Sequence, residues 1–190
     1  HGNTFSVIDV SNPLMPLKIS ELSTPTIPTD PQAIFVSGRY AYIVAPPTTG
    51  TAMLAIIDVS NPHSPMFTAS TSVAGDAVSL YVSGRYAYTA NYSSSTISVL
   101  DVSNPNAPIL IATTTVGTNP QSIFVSGRYA YTADYSANTI SVIDVSVPSS
   151  PTLVARIPVG ANPYSVYVSG RYAYVANSGG DTISIIDISG

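Results

Sequence analysis

The chain contains no cysteine and no tryptophan, and it has very few charged residues. Without cysteine, neither disulfide bridges nor thiolate-ligated metals can contribute to the fold. Only 8% of the 190 residues are charged, whereas about 25% is usual for soluble domains. A net charge of −4 and a single lysine, Lys18, argue against nucleic-acid binding, which needs a basic surface. The polar surface must therefore come mainly from serine, threonine, asparagine and tyrosine.

Histidine and long apolar runs are also scarce. His1 is terminal and His63 lies in a turn between two prolines, so no nucleophile–base–orienter set can be assembled around them. No apolar run approaches the about 18 residues of a membrane-spanning helix. The chain starts inside a strand-like pattern, and we interpret it as a mature form or a segment of a longer protein. A composition low in charge and rich in serine, threonine and tyrosine favours an extracellular location.

The chain does have an internal repeat. The hexapeptide Ser-Gly-Arg-Tyr-Ala-Tyr occurs four times, with arginines 46, 43 and 43 residues apart: Arg39, Arg85, Arg128 and Arg171. The motif Asp-[Val/Ile]-Ser recurs in step with it: Asp9, Asp58, Asp101, Asp144 and Asp187. Each repeat holds four short runs rich in Val, Ile, Tyr and Thr, separated by turn residues, which predicts four antiparallel strands and almost no helix. The sequence therefore predicts an all-β fold, a β-propeller with four repeats of about 43 residues, each a four-stranded blade.

Side-chain size indicates how the blades stack. In the second strand of each repeat, tyrosines such as Tyr129 and Tyr131 alternate with small residues such as Ala130 and Thr132. A sheet with rings on one face and alanines on the other can nest against a copy of itself. The first strand is apolar on both faces, as expected for a strand buried near the central axis.

The termini do not fit a simple ring. Three complete repeats span about 31–75, 76–118 and 119–161, and we expect 162–190 plus 1–30 to form a closing blade of one domain. Two third-type strands, Thr4–Val10 and Thr182–Ile188, then compete for one position, and an unpaired strand favours assembly. The chain is either a four-bladed ring or a slice of a larger propeller whose ends pair with neighbours. We favour the closed ring.

The repeat elements Ser-Gly-Arg-Tyr-Ala-Tyr, Thr-Ile-Ser-Val-Ile-Asp-Val-Ser and Val-Gly-x-Asn-Pro resemble the LVIVD and YVTN propeller repeats of bacterial and archaeal surface proteins. The resemblance covers essentially the whole chain. It implies a first strand that is innermost, a fourth that is outermost, and a secreted or cell-surface binding or scaffold module. Because propellers carry many activities, it does not specify a function.

The motif aspartates and arginines are expected to be structural, because a catalytic site needs one asymmetric constellation rather than a feature of every blade. Each carboxylate should accept backbone N–H groups of the following turn, or pair with a motif arginine. This applies to Asp58, Asp101, Asp144 and Asp187, with Arg39, Arg85, Arg128 and Arg171. We therefore predict no catalytic residues and no enzyme.

The turns from a fourth strand into the next first strand should ring one mouth of the central channel. They contain two carboxylates and two amides: Asp30, Asp76, Asn119 and Asn162. Such oxygen ligands suit Ca²⁺, so these four residues are candidate ligands of a channel ion, although the same residue types commonly form turns. We expect no other cofactor.

The loops between second and third strands should open on that same face, and they vary among the repeats. Tyr92 and Tyr135, amid small polar residues, are candidate ligand-binding residues together with Asn91, Asp134 and Asn177. The alternative is solvated hairpins whose tyrosines pack on neighbours. The first of these loops, 46–51, is three residues longer than the others.

These observations favour a non-enzymatic extracellular or cell-surface propeller that binds a protein or glycan partner, or acts in adhesion, through its variable loops. One alternative is a structural unit whose terminal strands complete the blades of neighbouring chains and so cause self-association. Another is a propeller hydrolase or lactonase. Nucleic acid and membrane-spanning partners are not expected.

Overall fold

The computed structural model describes residues 4–23, 30–45 and 52–189, and these residues form strands and turns without a helix. The strands are β1 (Thr4–Asp9), β2 (Leu17–Ser23), β3 (Ala33–Ser37), β4 (Tyr40–Ala45), β5 (Met53–Asp58), β6 (Met66–Ser72), β7 (Ala77–Ser83), β8 (Tyr86–Asn91), β9 (Thr96–Asp101), β10 (Ile109–Thr115), β11 (Pro120–Ser126), β12 (Tyr129–Asp134), β13 (Thr139–Asp144), β14 (Thr152–Pro158), β15 (Pro163–Ser169), β16 (Tyr172–Asn177) and β17 (Thr182–Asp187). The all-β prediction is confirmed.

The strands form five antiparallel sheets in chain order. Three are complete four-stranded meanders, β3–β6, β7–β10 and β11–β14, and each pairs every strand with its sequence neighbour. The first sheet contains only β1 and β2, and the last contains β15, β16 and β17. Where a sheet contains both a third and a fourth strand, the pairing of these two strands is interrupted by a β-bulge, for example between Val142 and Ile143. The bulge bends the outer strand at the same position in every repeat.

Consecutive sheets pack face to face. Tyr42 of β4 lies in one apolar cluster with Ala87 of β8, and Tyr88 of β8 lies in the next cluster with Ala130 of β12. Rings of one sheet therefore nest on alanines of the following sheet, as the large/small alternation predicts. We call the face that packs on the following sheet the forward face and the opposite one the backward face.

The first strands lie side by side along the stack, which places them innermost as the resemblance implies. The backbone N–H of Ile123 in β11 donates to Ser79 Oγ in β7 at 3.1 Å, and Val166 N in β15 donates to Ser122 Oγ in β11 at 3.3 Å. These bonds join β11 to β7 and β15 to β11, and they hold these inner strands in register.

The closing blade predicted from residues 162–190 plus 1–30 stays a prediction. Among the described residues, β15–β17 pair in one sheet and β1–β2 pair in another. Each of the two sheets keeps its own third strand, β1 paired with β2 and β17 paired with β16. The four-bladed ring and the slice of a larger propeller both stay predictions.

Candidate functional site: the loop face

In the sheets β7–β10, β11–β14 and β15–β17, the loop after the second strand lies beside the turn before the first strand. Tyr92 N donates to Asp76 O at 2.8 Å, Tyr135 N to Asn119 O at 3.0 Å, and Ser178 N to Asn162 O at 2.9 Å. Each bond joins the loop and the turn of one blade, so both lie at the same end. We call this end the loop face. The expectation that loops and turns share one face is confirmed.

The turns of the loop face connect consecutive blades. Asn119 Nδ2 donates to Tyr92 O at 3.1 Å, and Asn162 Nδ2 donates to Tyr135 O at 3.4 Å. The carbonyl of the same asparagine accepts a bond from the blade that the chain is about to enter. Each asparagine therefore bonds to the loops of two consecutive blades, and we call this arrangement a clamp. Because these clamps fix the backbone on both sides of Tyr92 and Tyr135, the two tyrosines are held on a rigid support.

The four candidate metal ligands do not share one conformation. Asp30, Asn119 and Asn162 adopt positive φ angles of 54°, 56° and 50°, the left-handed region that Asn and Asp tolerate. In the remaining turn the positive φ, 60°, belongs to Gly75 rather than to Asp76. The amides of Asn119 and Asn162 are also engaged as clamps. Among the described residues no group of three or more His, Asp or Glu side chains is placed to hold a metal, and the Ca²⁺ site stays a prediction.

Three of the candidate ligand-binding residues lie inside the protein rather than on the loops. Asn91, Asp134 and Asn177 are the last residues of their second strands and are buried, with exposures of 0%, 0% and 2%. The sequence predicts a polar turn that starts at Asp134, but β12 continues one residue further and includes Asp134. Alternation along the strand then points Asp134 inward, on the same face as Ala130 and Thr132. The buried side chains of Asn91, Asp134 and Asn177 therefore do not reach an external ligand, which corrects that prediction.

Each of these residues belongs to a small buried hydrogen-bond network, which we call the polar box. Around Asp134, Thr132 Oγ1 donates to Oδ1 at 2.7 Å, while Ser141 Oγ and Thr139 Oγ1 donate to Oδ2 at 2.6 and 3.0 Å. Burial raises the pKa of Asp134, and the three hydrogen bonds oppose that rise. Gly117 covers the box so closely that a Cβ atom there would lie 2.3 Å from Asp134 Oδ2. The box therefore fixes the end of the strand from which the loop departs.

Tyr92 and Tyr135 are the two predicted binding residues that remain at the surface. Both rings are half-buried, one residue beyond the polar box, and exposed residues such as Ser93, Ser94 and Ser136 lie beside them. The loop at 46–51 lies outside the described residues. The loop face thus offers aromatic rings, hydroxyls and amides together with the carboxylates of Asp30, Asp76 and Asp181, a combination suited to hydrogen bonding and stacking.

The motif residues lie at the opposite end of the sheets, in two kinds of turn. Arg85 donates to Asp101 Oδ2 at 2.6 Å, and its guanidinium lies 5.3 Å from the centroid of the Tyr86 ring. Asp101 Oδ1 also accepts the backbone N–H of Ser103 at 2.9 Å. The same contacts recur in the other three repeats that contain the arginine, so the turn bond and the ion pair occur together.

These contacts also set the titration of the motif aspartates. The hydrogen bond from the arginine is the main cause that lowers the pKa of Asp58, Asp101 and Asp144 to about 2, and the pKa of Asp187 is lowered for the same reason. The pKa of Asp9 is lowered mainly by the backbone N–H of Ser11. Because the arginines are about 60% exposed, the pairs contribute little to stability and act as repeated turn fasteners.

Comparison with known families agrees with the repeat. The family model described as LVIVD repeat matches residues 1–27, 28–72, 74–116, 117–158 and 162–190. The chain belongs to the LVIVD repeat family. Each match corresponds to one sheet of the stack, with the incomplete sheets at the two ends. No curated protein matches the chain.

Solved structures show the same fold at low identity. A protein of unknown function from Desulfotomaculum acetoxidans is 16% identical, with a TM-score of 0.80 over 97% of this chain and 62% of that chain. A candidate 6-phosphogluconolactonase from Bacteroides fragilis is 14% identical, with a TM-score of 0.77 over 97% of this chain and 60% of that chain. The Cps50 (Swd1) β-propeller domain of Myceliophteria thermophila is 16% identical, with a TM-score of 0.71 over 97% of this chain and 64% of that chain.

These likenesses establish the β-propeller fold of this LVIVD repeat chain. In each case the chain spans less than two thirds of the matched structure, so it superposes on part of a propeller. No helix that could cross a bilayer occurs in the described parts of the chain.

Proposed function

We propose that this LVIVD repeat protein is a non-enzymatic binding module that works outside the cell or at a bacterial or archaeal cell surface. Its binding surface is the loop face, and its partner is a glycan or a protein with an uncharged polar surface. Affinity comes from tyrosine rings and hydroxyl groups, and the stacked blades supply the rigid support.

The observation that carries this proposal is the clamped presentation of Tyr92 and Tyr135. Their backbone N–H groups are bonded to Asp76 O and Asn119 O, and their carbonyls accept the side chains of Asn119 and Asn162. Because the backbone of each tyrosine is already ordered, little conformational entropy is lost when the ring contacts a partner. A tyrosine held in this way is a typical anchor of a binding surface.

The composition supports the location and the class of partner. With 8% charged residues and a net charge of −4, the surface suits neither nucleic acid nor a strongly charged ligand. Sugar rings and polar protein surfaces offer apolar faces for stacking and hydroxyl or amide groups for hydrogen bonds.

The proposal is tested with a glycan array and with the double variant Tyr92→Ser/Tyr135→Ser. We expect the unmodified protein to bind a subset of neutral glycans and the variant to bind them at least about tenfold more weakly, because interface tyrosines commonly contribute more than 1 kcal/mol each. The matched control is Tyr86→Ser/Tyr129→Ser, which makes the same change in the same two blades at the opposite end.

The result separates the alternatives. Binding that survives the loss of Tyr92 and Tyr135, or that is lost equally in the control, contradicts the loop face as the binding surface. Turnover of a lactone or glycoside panel by the purified chain would instead support the hydrolase alternative. Two structural neighbours, at 14% and 16% identity, are named as candidate 6-phosphogluconolactonases. Circular dichroism verifies that both double variants are folded.

A further inference from the structure

One arginine lies outside the repeat motif. Arg156 is on the fourth strand β14, opposite Ser141 of β13, and the equivalent position in the preceding blade holds Thr113. The guanidinium of Arg156 donates to the backbone carbonyl of Val116 at 2.8 Å. The same blade carries a carboxylate, Asp134, in its polar box. The arginine and the buried aspartate are therefore special features of one blade.

Among the described residues, the carboxylate of Asp134 has no charged hydrogen-bond partner, because its three donors are neutral hydroxyls. Pro120 lies opposite it on β11. The preceding sheet packs Ala90 and the ring of Tyr88 against the backward face of β12, and burial raises the pKa of that phenol from 10. Burial likewise raises the pKa of Asp134, and Arg156 is the charged group that opposes this rise. An ionised carboxylate is costly in such a site.

The turn 116–119 covers the box, and we call it the cover turn. The backbone N–H of Gly117 donates to Ser141 Oγ at 3.1 Å, and this hydroxyl donates to Asp134 Oδ2 at 2.6 Å. A Cβ atom on Gly117 would lie 2.3 Å from the same carboxylate oxygen. Arg156 ties the first carbonyl of the cover turn, Val116 O, to β14. The cover turn therefore contacts the titratable group and its one charged neighbour.

The cover turn also holds the loop that begins with Tyr135. The backbone N–H of Tyr135 donates to Asn119 O at 3.0 Å, and the N–H of Ser136 donates to Thr118 O at 3.2 Å. If the cover turn moved away from the box, both bonds would break. The state of the buried carboxylate is thus coupled to the first two residues of the loop by four consecutive residues of backbone.

We propose that Asp134 and Arg156 make the loop of Tyr135 a pH-sensitive element of the loop face. While Asp134 is neutral, the box is closed and the cover turn holds the loop. When the carboxylate ionises, a locally open state in which it reaches water becomes easier to populate, and Arg156 limits this opening through its charge and its bond to Val116. The loop of Tyr92 follows an amide, Asn91, and does not respond. Weaker binding through Tyr135 at higher pH rests on the proposed function, whereas the coupling itself does not.

The sign follows from the two states of the carboxylate. Asp134 has a raised pKa in the closed box and an ordinary one, near 3.8, when it is open to water. Its contribution to the closed state is therefore complete below pH 3.8 and is lost as pH rises through the raised pKa. Opening releases a proton in that interval, so it becomes up to tenfold easier per pH unit.

The test is amide hydrogen exchange, measured by NMR at several pH values between 4 and 8 and expressed as protection relative to the intrinsic rate. We expect the protection of the Tyr135 and Ser136 amides to fall at least about fivefold over this range. The Tyr92 amide, which donates to Asp76 O at 2.8 Å, is the internal control and should keep its protection. In the variant Asp134→Asn the amide of Tyr135 should keep its protection as well.

The variant Arg156→Thr copies the residue of the preceding blade at an exposed position. It should lower the protection of Tyr135 at every pH and steepen its fall, because both the bond to Val116 and the opposing charge are lost. A fall no steeper than in the unmodified chain would overturn the role of Arg156.

Three results would overturn the coupling: constant protection of Tyr135 in the unmodified chain, the same fall in Asp134→Asn, or an equal fall at Tyr92. The last would indicate loosening of the whole stack. None of these measurements needs a partner, so their failure leaves the proposed binding function intact, and failure to bind glycans leaves the coupling intact. Circular dichroism verifies that both variants are folded.

Discussion

The blades β7–β10 and β11–β14 are near copies, yet they bury different groups at the end of the second strand. In one, Asn91 Oδ1 accepts from Thr89 while Nδ2 donates to Thr96 and Ser98 at 3.0 and 2.9 Å. In the other, Asp134 only accepts bonds from its neighbours. The surrounding hydroxyls rotate to suit either group, because a hydroxyl can donate or accept. One buried position therefore determines whether a blade carries a titratable group without changing its fold.

Breaking the box of Asp134 should have the largest effect. Asp134→Leu leaves the hydroxyls of Thr132, Thr139 and Ser141 without their common acceptor and crowds Gly117. We expect a loss of about 3 kcal/mol in the free energy of unfolding, measured by urea denaturation, since each unsatisfied buried polar group costs about 1–3 kcal/mol.

The blade β3–β6 supplies the matched control, because its box is entirely apolar: Ile43, Ala45, Met53 and Ala55. The combined variant T132I/D134A/T139M/S141A copies that box, and it should recover a large part of the loss. A single Asp134→Leu variant as stable as the unmodified chain would contradict the assigned network.

Asp134→Asn turns one blade into a copy of the other and should have an intermediate effect that depends on pH. Burial raises the pKa of Asp134 in the folded protein, so its contribution to stability is present below the unfolded value, near 3.8, and is lost as pH rises through the raised pKa. The variant should therefore gain stability over the unmodified chain at pH 8, on the order of 1 kcal/mol, and little at pH 4.

The measurement is urea unfolding at several pH values between 4 and 8. The ion-paired Asp58, Asp101 and Asp144 have pKa values of about 2, so their contribution is present above about pH 3.8 and is lost only below this range as pH falls toward 2. Asn91→Asp is the reciprocal control and should introduce the same pH dependence into the other blade. Identical profiles for all three proteins would exclude Asp134 as the cause.

The smallest effect is expected from completing the box of Asn177. There Nδ2 donates to Thr182 and Ser184, but Oδ1 is buried without a partner among the described residues, because Val175 stands where Thr89 bonds Asn91. Val175→Thr should supply the missing donor and stabilise the protein by about 0.5 kcal/mol, the lower end of the net value of a hydrogen bond. The measurement is the melting temperature, with Thr89→Val as the opposite change. A lower melting temperature for Val175→Thr would show that Oδ1 gains nothing from the new donor.

The polar boxes are also the part of the fold that the sequence did not predict. Turn residues marked the ends of the strands, but a polar residue at a strand end can belong to the strand or to the loop. Asn91, Asp134 and Asn177 were assigned to loops for that reason. The signal that could have found them was the alternation of Thr132 with Asp134 and of Thr139 with Ser141, which places four polar groups on one face of two paired strands.

The sequence by itself determined the repeat, the strands, their pairing within each blade and the nesting of tyrosines on alanines. These follow from local turns and from period-two alternation, which act over a few residues and recur in every blade. Only the tertiary structure decided that Asn119 and Asn162 clamp neighbouring loops and that Asn91, Asp134 and Asn177 are buried. Those features depend on contacts between whole sheets, which no local sequence pattern specifies.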